Sequence, residues 1–152
     1  MDGHQYTARF EAPGGKPILE AYLDTLGIPT IGIGHTGPEV HLGLKWSYDQ
    51  CMATYYGDYA IASGHAPHIL GVSSFSPLSD PRKAVVIDLC FNPGPTRLAG
   101  FLKMLDAIRK GQWQRAHDEL LDSAYAKQVK SRADTNARVL LTGEWPGEEL
   151  IS

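Results

Sequence analysis

Two carboxylates, Glu11 and Asp24, stand on either side of a turn, with Thr30 and a β-branched, glycine-punctuated segment, Thr30-Ile31-Gly32-Ile33-Gly34-His35-Thr36, directly after the second. A carboxyl pair can cut a glycosidic bond when one member stays protonated and donates to the leaving oxygen. The other must stay ionised, to activate water or to stabilise positive charge at the anomeric carbon. The two settings differ in that direction. Glu11 follows Ala8-Arg9-Phe10 where a first helix should end, a half-buried position in which desolvation favours the protonated form. Asp24 lies among Thr25, Gly27 and Thr30, a polar turn that suits the charged partner. Thr30 suits a water holder because a hydroxyl donates and accepts at once. A Glu and an Asp thirteen positions apart are, without such surroundings, ordinary surface acids.

The elements that must position these groups follow from periodicity. Residues 3–11 read as a short helix with Tyr6, Phe10 and Ala8 inward, delivering Glu11 at its end. Pro13-Gly14-Gly15-Lys16-Pro17 reads as a loop, and Ile18–Asp24 with Thr30–His35 as an antiparallel hairpin whose glycines mark bulges or close backbone approaches. Glu39–Gly43 reads as a third short strand or a turn. Ser47 and Gln50 form a capping box opening a helix from Tyr48 to about Ser63, with Cys51, Met52, Tyr55, Tyr59 and Ala62 as its core stripe. Gly64–Ser79 is rich in Gly, Pro and Ser and reads as a connection. His65 and His68 there read as solvated, because Pro67 breaks the helical spacing of a metal-binding pair, and no metal site is expected.

Asp80 is expected as an N-cap before Pro81. The helix from Arg82 to about Asn92 is apolar nearly all round, so it should be a central buried helix with Val86, Ile87, Leu89 and Cys90 in the core. Thr96–Lys110 reads as one amphipathic helix with Leu98, Phe101, Leu102, Leu105 and Ile108 inward, closed by Gly111. Helical stretches follow from Trp113, over Ala124–Val129, and from Ser131 to Leu141. The expected class is α+β, a small antiparallel β-hairpin lobe plus a larger helical lobe. One domain spans 1–152, the small lobe with its connecting helix covering about 12–63 and the helical lobe combining 1–11 with 80–152.

Composition bounds the rest. With 152 residues, 43% of them apolar, the chain suits a single domain. No run of eighteen apolar residues and no basic-then-apolar amino terminus is present, so neither membrane insertion nor an export signal is expected. Cys51 and Cys90 read as free thiols. The net charge of −3 argues against nucleic acid as a partner. The charge is uneven: three Lys/Arg against eight Asp/Glu over residues 1–81, and eleven against nine over 82–152. Electrostatic steering towards an anionic polymer should therefore be modest.

The strings Arg9-Phe10-Glu11, Ala21-Tyr22-Leu23-Asp24-Thr25 and Thr30-Ile31-Gly32-Ile33-Gly34-His35 together resemble the tailed-phage lysozymes, or endolysins, of glycoside hydrolase family 24, T-even type. Phe91-Asn92-Pro93-Gly94, Gly111-Gln112-Trp113 with Ala116, Ser131-Arg132-Ala133 and Thr142-Gly143 with Trp145 also match, so the resemblance spans about residues 6–145. The family's Asp-to-Thr interval is kept from Asp24 to Thr30. Its usual eight residues between Glu and Asp become twelve here, with the Pro-Gly-Gly segment in between. Eight would put the acid at Gly15, which cannot serve, and Glu20 stands too close to Asp24, so Glu11 is the assignment.

The resemblance implies a lysozyme-like fold and a muramidase cutting the β-1,4 bond between N-acetylmuramic acid and N-acetylglucosamine in peptidoglycan, with inversion. Glu11 would be the acid, with Asp24 and Thr30 holding water. It implies supporting or substrate-binding roles for Tyr22, Gly34, His35, Phe91 and Asn92, a structural pair between His35 and Asp58, and an Arg132 guanidinium that reaches the catalytic Glu. No cofactor and a monomer are expected. So are synthesis in the host cytoplasm and action on the wall after release through a holin-type pore. A lytic transglycosylase and a non-catalytic wall-binding phage component remain as alternatives.

Overall fold

The structure is a computed structural model and describes residues 1–147. It divides into two compact units, one of residues His4–Ile61, the other of Met1–Gly3 with Ala62 onward. The opening helix thus clusters with the hairpin, where the sequence reading grouped it with residues 80–152. Its partner is the first half of a long helix: the Tyr55 hydroxyl donates to the His4 carbonyl at 2.6 Å and the His4 ring lies 4.1 Å from that of Tyr59.

In the first unit, α1 (Gly3–Glu11) buries Tyr6, Thr7 and Ala8, with Phe10 edge-on to Tyr6. The Pro-Gly-Gly segment closes into a single 3₁₀ turn, Pro13–Gly15. β1 (Ile18–Leu23) and β2 (Pro29–Gly32) pair antiparallel, Tyr22 opposite Thr30 and Leu23 opposite Pro29, with a bulge between Ile18 and Tyr22. Ala21, Ile31 and Val40 form a small core beneath the sheet, with Leu44 and Trp46 packed against it. Residues 39–43 take the turn option rather than the strand; the further pairings among the described residues are two isolated bridges, Glu20 with Lys45 and Ile31 with His35.

The capping box forms as expected: Gln50 N–H donates to Ser47 Oγ at 3.1 Å and Ser47 N–H to Gln50 Oε1 at 2.9 Å. The helix it opens, α2 (Tyr48–Leu70), runs seven residues past the expected end at Ser63 and contains Pro67. The stripe Cys51, Tyr55, Tyr59, Ala62 continues through Ala66 and Leu70, all buried. A proline in the last turn removes one helical hydrogen bond, a cost that the continuing buried face outweighs. Arg109 then caps the end, donating from Nε to Leu70 O and from Nη2 to Ile69 O. The expected connection over 64–79 is thereby reduced to a few residues around α3 (Val72–Phe75).

In the second unit, α4 (Asp80–Phe91) buries Ala84, Val85, Val86, Leu89 and Cys90, as a central helix should. Ile87 is only partly covered, whereas Asp88 is fully buried. The N-cap is Ser79, one residue earlier than expected: its extended backbone lets Oγ accept from Arg82 N–H, which places Asp80 and Pro81 inside the first turn. The single helix expected over Thr96–Lys110 is broken. α5 (Pro95–Ala99) ends at Gly100, Phe101 leaves helical geometry, and α6 (Leu102–Arg109) restarts. Leu105 and Ile108 are buried as expected, joined by Met104 and Ala107, whereas Leu102, expected inward but standing at the restart, is 71% exposed. α7 (Trp113–Leu121), α8 (Ala124–Val129) and α9 (Ser131–Thr142) follow. The Arg82 guanidinium lies 3.7 Å from the Trp113 ring centroid and bonds the carbonyls of Leu140 and Leu141 at the end of α9. Gly143 follows in the left-handed conformation.

A mostly helical chain with one two-stranded antiparallel sheet is the expected α+β class. Both cysteines are free and buried. No helix among the described residues is long and apolar enough to cross a membrane.

Candidate active site

Glu11 is the last residue of α1, and its carboxyl lies against the turn that follows β2. That turn is closed by Ile31 and His35, which exchange backbone hydrogen bonds of 2.9 and 3.0 Å, and it holds Gly32 and Gly34 both at φ +69°. An added Cβ at Gly34 would strike Glu11 Oε2 and come within 3.1 Å of its Cβ and Cδ. The glycine is required twice, by a left-handed backbone and by a carboxyl resting on it. Gly32 faces α2 instead, where a Cβ would meet that of Cys51 at 3.4 Å.

Asp24 follows directly after the first strand and folds its own loop. Its Oδ1 accepts from the N–H groups of Leu26 and Ile28, both at 2.8 Å, while its own N–H donates to Ile28 O. Oδ2 has no protein donor among the described residues. One oxygen thus fixes the side chain and the other is available for chemistry. Thr30 is buried, and its hydroxyl donates to Ile28 O at 2.9 Å, leaving the oxygen's lone pairs to accept. Tyr22 stands directly opposite Thr30 and feels both carboxylates. Burial first, then the negative charges of Glu11 and of Asp24, push its phenol above the usual value.

His35 meets Asp58 as expected, Nδ1 to Oδ2 at 2.7 Å. It also meets Glu39, Nε2 to Oε1 at 2.6 Å, a partner the sequence reading left in a turn. The four-residue spacing from His35 to Glu39 was the available signal. Burial opposes charging the ring, but the hydrogen bonds to Glu39 and Asp58 outweigh it and raise the His35 pKa. The same contact holds Glu39 below the usual carboxyl range. Because the folded value lies above the unfolded one, 6.5, the stabilisation is complete below pH 6.5 and is lost as pH rises through the folded value.

The remaining expected residues lie in the second unit. Phe91 ends α4 and is half-buried. Asn92 caps that helix with its N–H to Asp88 O, accepts the Tyr125 hydroxyl on its carbonyl at 2.9 Å, and precedes a cis bond to Pro93. Arg132 is buried and forked onto Asp88, Nε to Oδ2 at 3.1 Å and Nη2 to Oδ1 at 2.9 Å; Asn136 Nδ2 adds a bond to Oδ2 at 2.9 Å. Sequence reasoning missed Asp88, although an acid in a helix apolar on every side signals a buried cation. His65 and His68 are exposed on α2, and no group of three or more potential metal ligands occurs among the described residues.

The phage lysozyme family description matches residues 16–138. The chain is 27% identical over 124 residues to the SAR-endolysin of Escherichia phage Mu, covering 82% of this chain and 69% of that protein. It is 26% identical over 148 residues to the probable T4-type lysozyme 1 of Dictyostelium discoideum, covering 82% and 87%. It is also 28% identical over 149 residues to the pre-baseplate central spike protein Gp5 of Enterobacteria phage T4, of whose length it spans only 26%. The family match begins after Glu11, so the assignment of that residue depends on its contact with Gly34.

Proposed function

Because the chain belongs to the phage lysozyme family, matched over residues 16–138, we propose that it is an endolysin muramidase hydrolysing the β-1,4 bond between N-acetylmuramic acid and N-acetylglucosamine in peptidoglycan. Glu11 is the general acid. Asp24 and Thr30 hold the attacking water on the opposite face of the ring, so the anomeric centre inverts, a geometry that uses carboxyls roughly 6.5–9.5 Å apart. The reaction needs two carboxyls and water and no cofactor. The observation that carries this reading is the seating of the Glu11 carboxyl on Gly34, with Tyr22 in the field of both Glu11 and Asp24. His35 and Asp58 support the turn. The roles of Phe91 and Asn92 toward substrate, and of Arg132 toward the acid, rest on the resemblance alone. The enzyme acts as a monomer on the wall, reaching it from the host cytoplasm through a holin-type pore.

Glu11→Gln removes the proton donor at constant size. Its rate on purified sacculi should fall at least about 100-fold. Full retention of activity removes the assignment. Released fragments should carry a reducing end and one water more than an anhydro product, which separates hydrolysis from transglycosylation. Similarity to a central spike protein favours a second reading, in which this domain serves a phage particle during entry. Detection of the chain in purified virions would support it.

A further inference from the structure

His35 is held by a carboxylate at each ring nitrogen, 2.7 Å to Asp58 and 2.6 Å to Glu39. A neutral imidazole has a single N–H, so one of the two contacts would set lone pair against lone pair; only the imidazolium donates to both. The charged groups facing the ring are thus Asp58 from α2 and Glu39 from the turn four residues on. Its other neighbour is the uncharged Trp46 indole, 5.5 Å away between centroids. Glu11 of α1 meets the adjacent Gly34.

The clamped residue also closes the turn on which Glu11 rests. His35 exchanges both backbone hydrogen bonds with Ile31, and Ile31 and Ile33 are buried at 0% and 1% exposure. Gly34 therefore sits between a core anchor, Ile33, and a ring fixed from two sides. We propose that Glu39 is a positioning residue for Glu11: together with Asp58 it locks the His35 cation, and the locked ring holds Gly34 where it seats the acid's carboxyl. This rests on the reading of Glu11 as the general acid.

The two acids are not equivalent. A ring that loses one proton can keep an N–H for only one of the two acids. Glu39 is the more exposed, 53% against 29%, and is the partner able to swing away. As pH rises through the folded value of His35, the ring loses a proton, one of the two contacts becomes repulsive and the turn under Glu11 loosens. Glu39, by raising that value, extends the pH range over which the turn stays set.

The test compares wild type, Glu39→Gln and Asp58→Asn by NMR titration of the His35 ring and the Gly34 amide, with kcat/KM on purified peptidoglycan measured against pH. Glutamine keeps the size and a hydrogen bond but not the charge. The His35 midpoint should move to lower pH in both variants. The Gly34 amide should titrate with His35 in wild type and move with it in each variant, and the alkaline fall of kcat/KM should begin at lower pH. A Gly34 amide that ignores His35, or that keeps its wild-type midpoint in Glu39→Gln while the ring shifts, overturns the proposal and leaves the acid assignment intact. Full activity of Glu11→Gln would instead remove the acid while the ring and amide still titrate together.

Discussion

Gly34→Ala tests the seating of the acid most directly. At φ +69° an L-residue pays about 1–2 kcal/mol for the left-handed backbone. The new methyl would also overlap Glu11 Oε2 and stand 3.1 Å from its Cβ and Cδ. Ordinary contact begins near 3.4 Å, so the carboxyl oxygen must retreat by about 1 Å, a displacement that costs on the order of 100-fold in rate at a reacting group. α1 cannot absorb the shift, because Tyr6, Thr7 and Ala8 anchor it in the core. Gly32→Ala supplies the control: φ is again +69°, but its Cβ meets Cys51 at 3.4 Å and touches no carboxyl. Both variants should lose similar stability in urea unfolding, and only Gly34→Ala should lose about 100-fold in reducing-end release from sacculi at full folding. Equal activity loss in the two variants would mean that backbone strain, not the seating of Glu11, accounts for the glycine.

Asp24→Asn should keep its loop, since the amide oxygen still accepts from Leu26 and Ile28, while activity falls at least about 100-fold; Asp24→Ala should lose both activity and thermal stability. An active Asp24→Asn would show that its charge is dispensable. Asp88→Ala breaks the buried ion pair with Arg132 and removes the acceptor of Asn136, and should cost about 3–5 kcal/mol, read as a lower urea midpoint. A variant of wild-type stability would mean that Arg132 finds another counter-ion. Burial pushes the Cys90 thiol up to about 12 and raises Cys51 as well, so a thiol reagent at pH 8 should label neither in the folded protein and both in denaturant. Fast labelling of native protein would contradict the packing.

What was legible in the sequence was local. The capping box at Ser47 and Gln50, the end of α1 at Glu11 and the hairpin around Asp24 each depend on residues a few positions apart; the first two formed as read, and the hairpin formed with its second strand stopping at Gly32 rather than His35. The His35 pair with Asp58, twenty-three residues away, came from the family resemblance and not from pattern. The misses are cases in which distant packing overrode a local rule. Pro67 should stop a helix, yet Ala66 and Leu70 carry the buried stripe past it and Arg109 caps the end from forty residues away. The break at Gly100 and Phe101 cannot be seen in a stripe whose apolar residues fit an unbroken helix. Asp88 was hidden for the opposite reason: its surroundings read as core, and its cation lies forty-four residues downstream.

The longer interval between Glu11 and Asp24 shows why spacing along the chain measures this site poorly. The extra residues close on themselves, Gly15 N–H donating to Ala12 O and Lys16 N–H to Pro13 O, with Gly14 and Gly15 at positive φ. Ala12 is buried and its N–H still donates to Ala8 O, so the insertion begins only after α1 is complete. A few more loop residues add a fraction of a kcal/mol to closure. The acid's place is set by the helix behind it and by Gly34 in front, neither of which depends on the length of the link. A one-residue insertion inside α1, between its buried anchor at Tyr6–Ala8 and Glu11, would have rotated Glu11 by about 100° around the helix axis, away from Gly34, whereas one placed after Ala12 changes only the path by which the chain reaches β1.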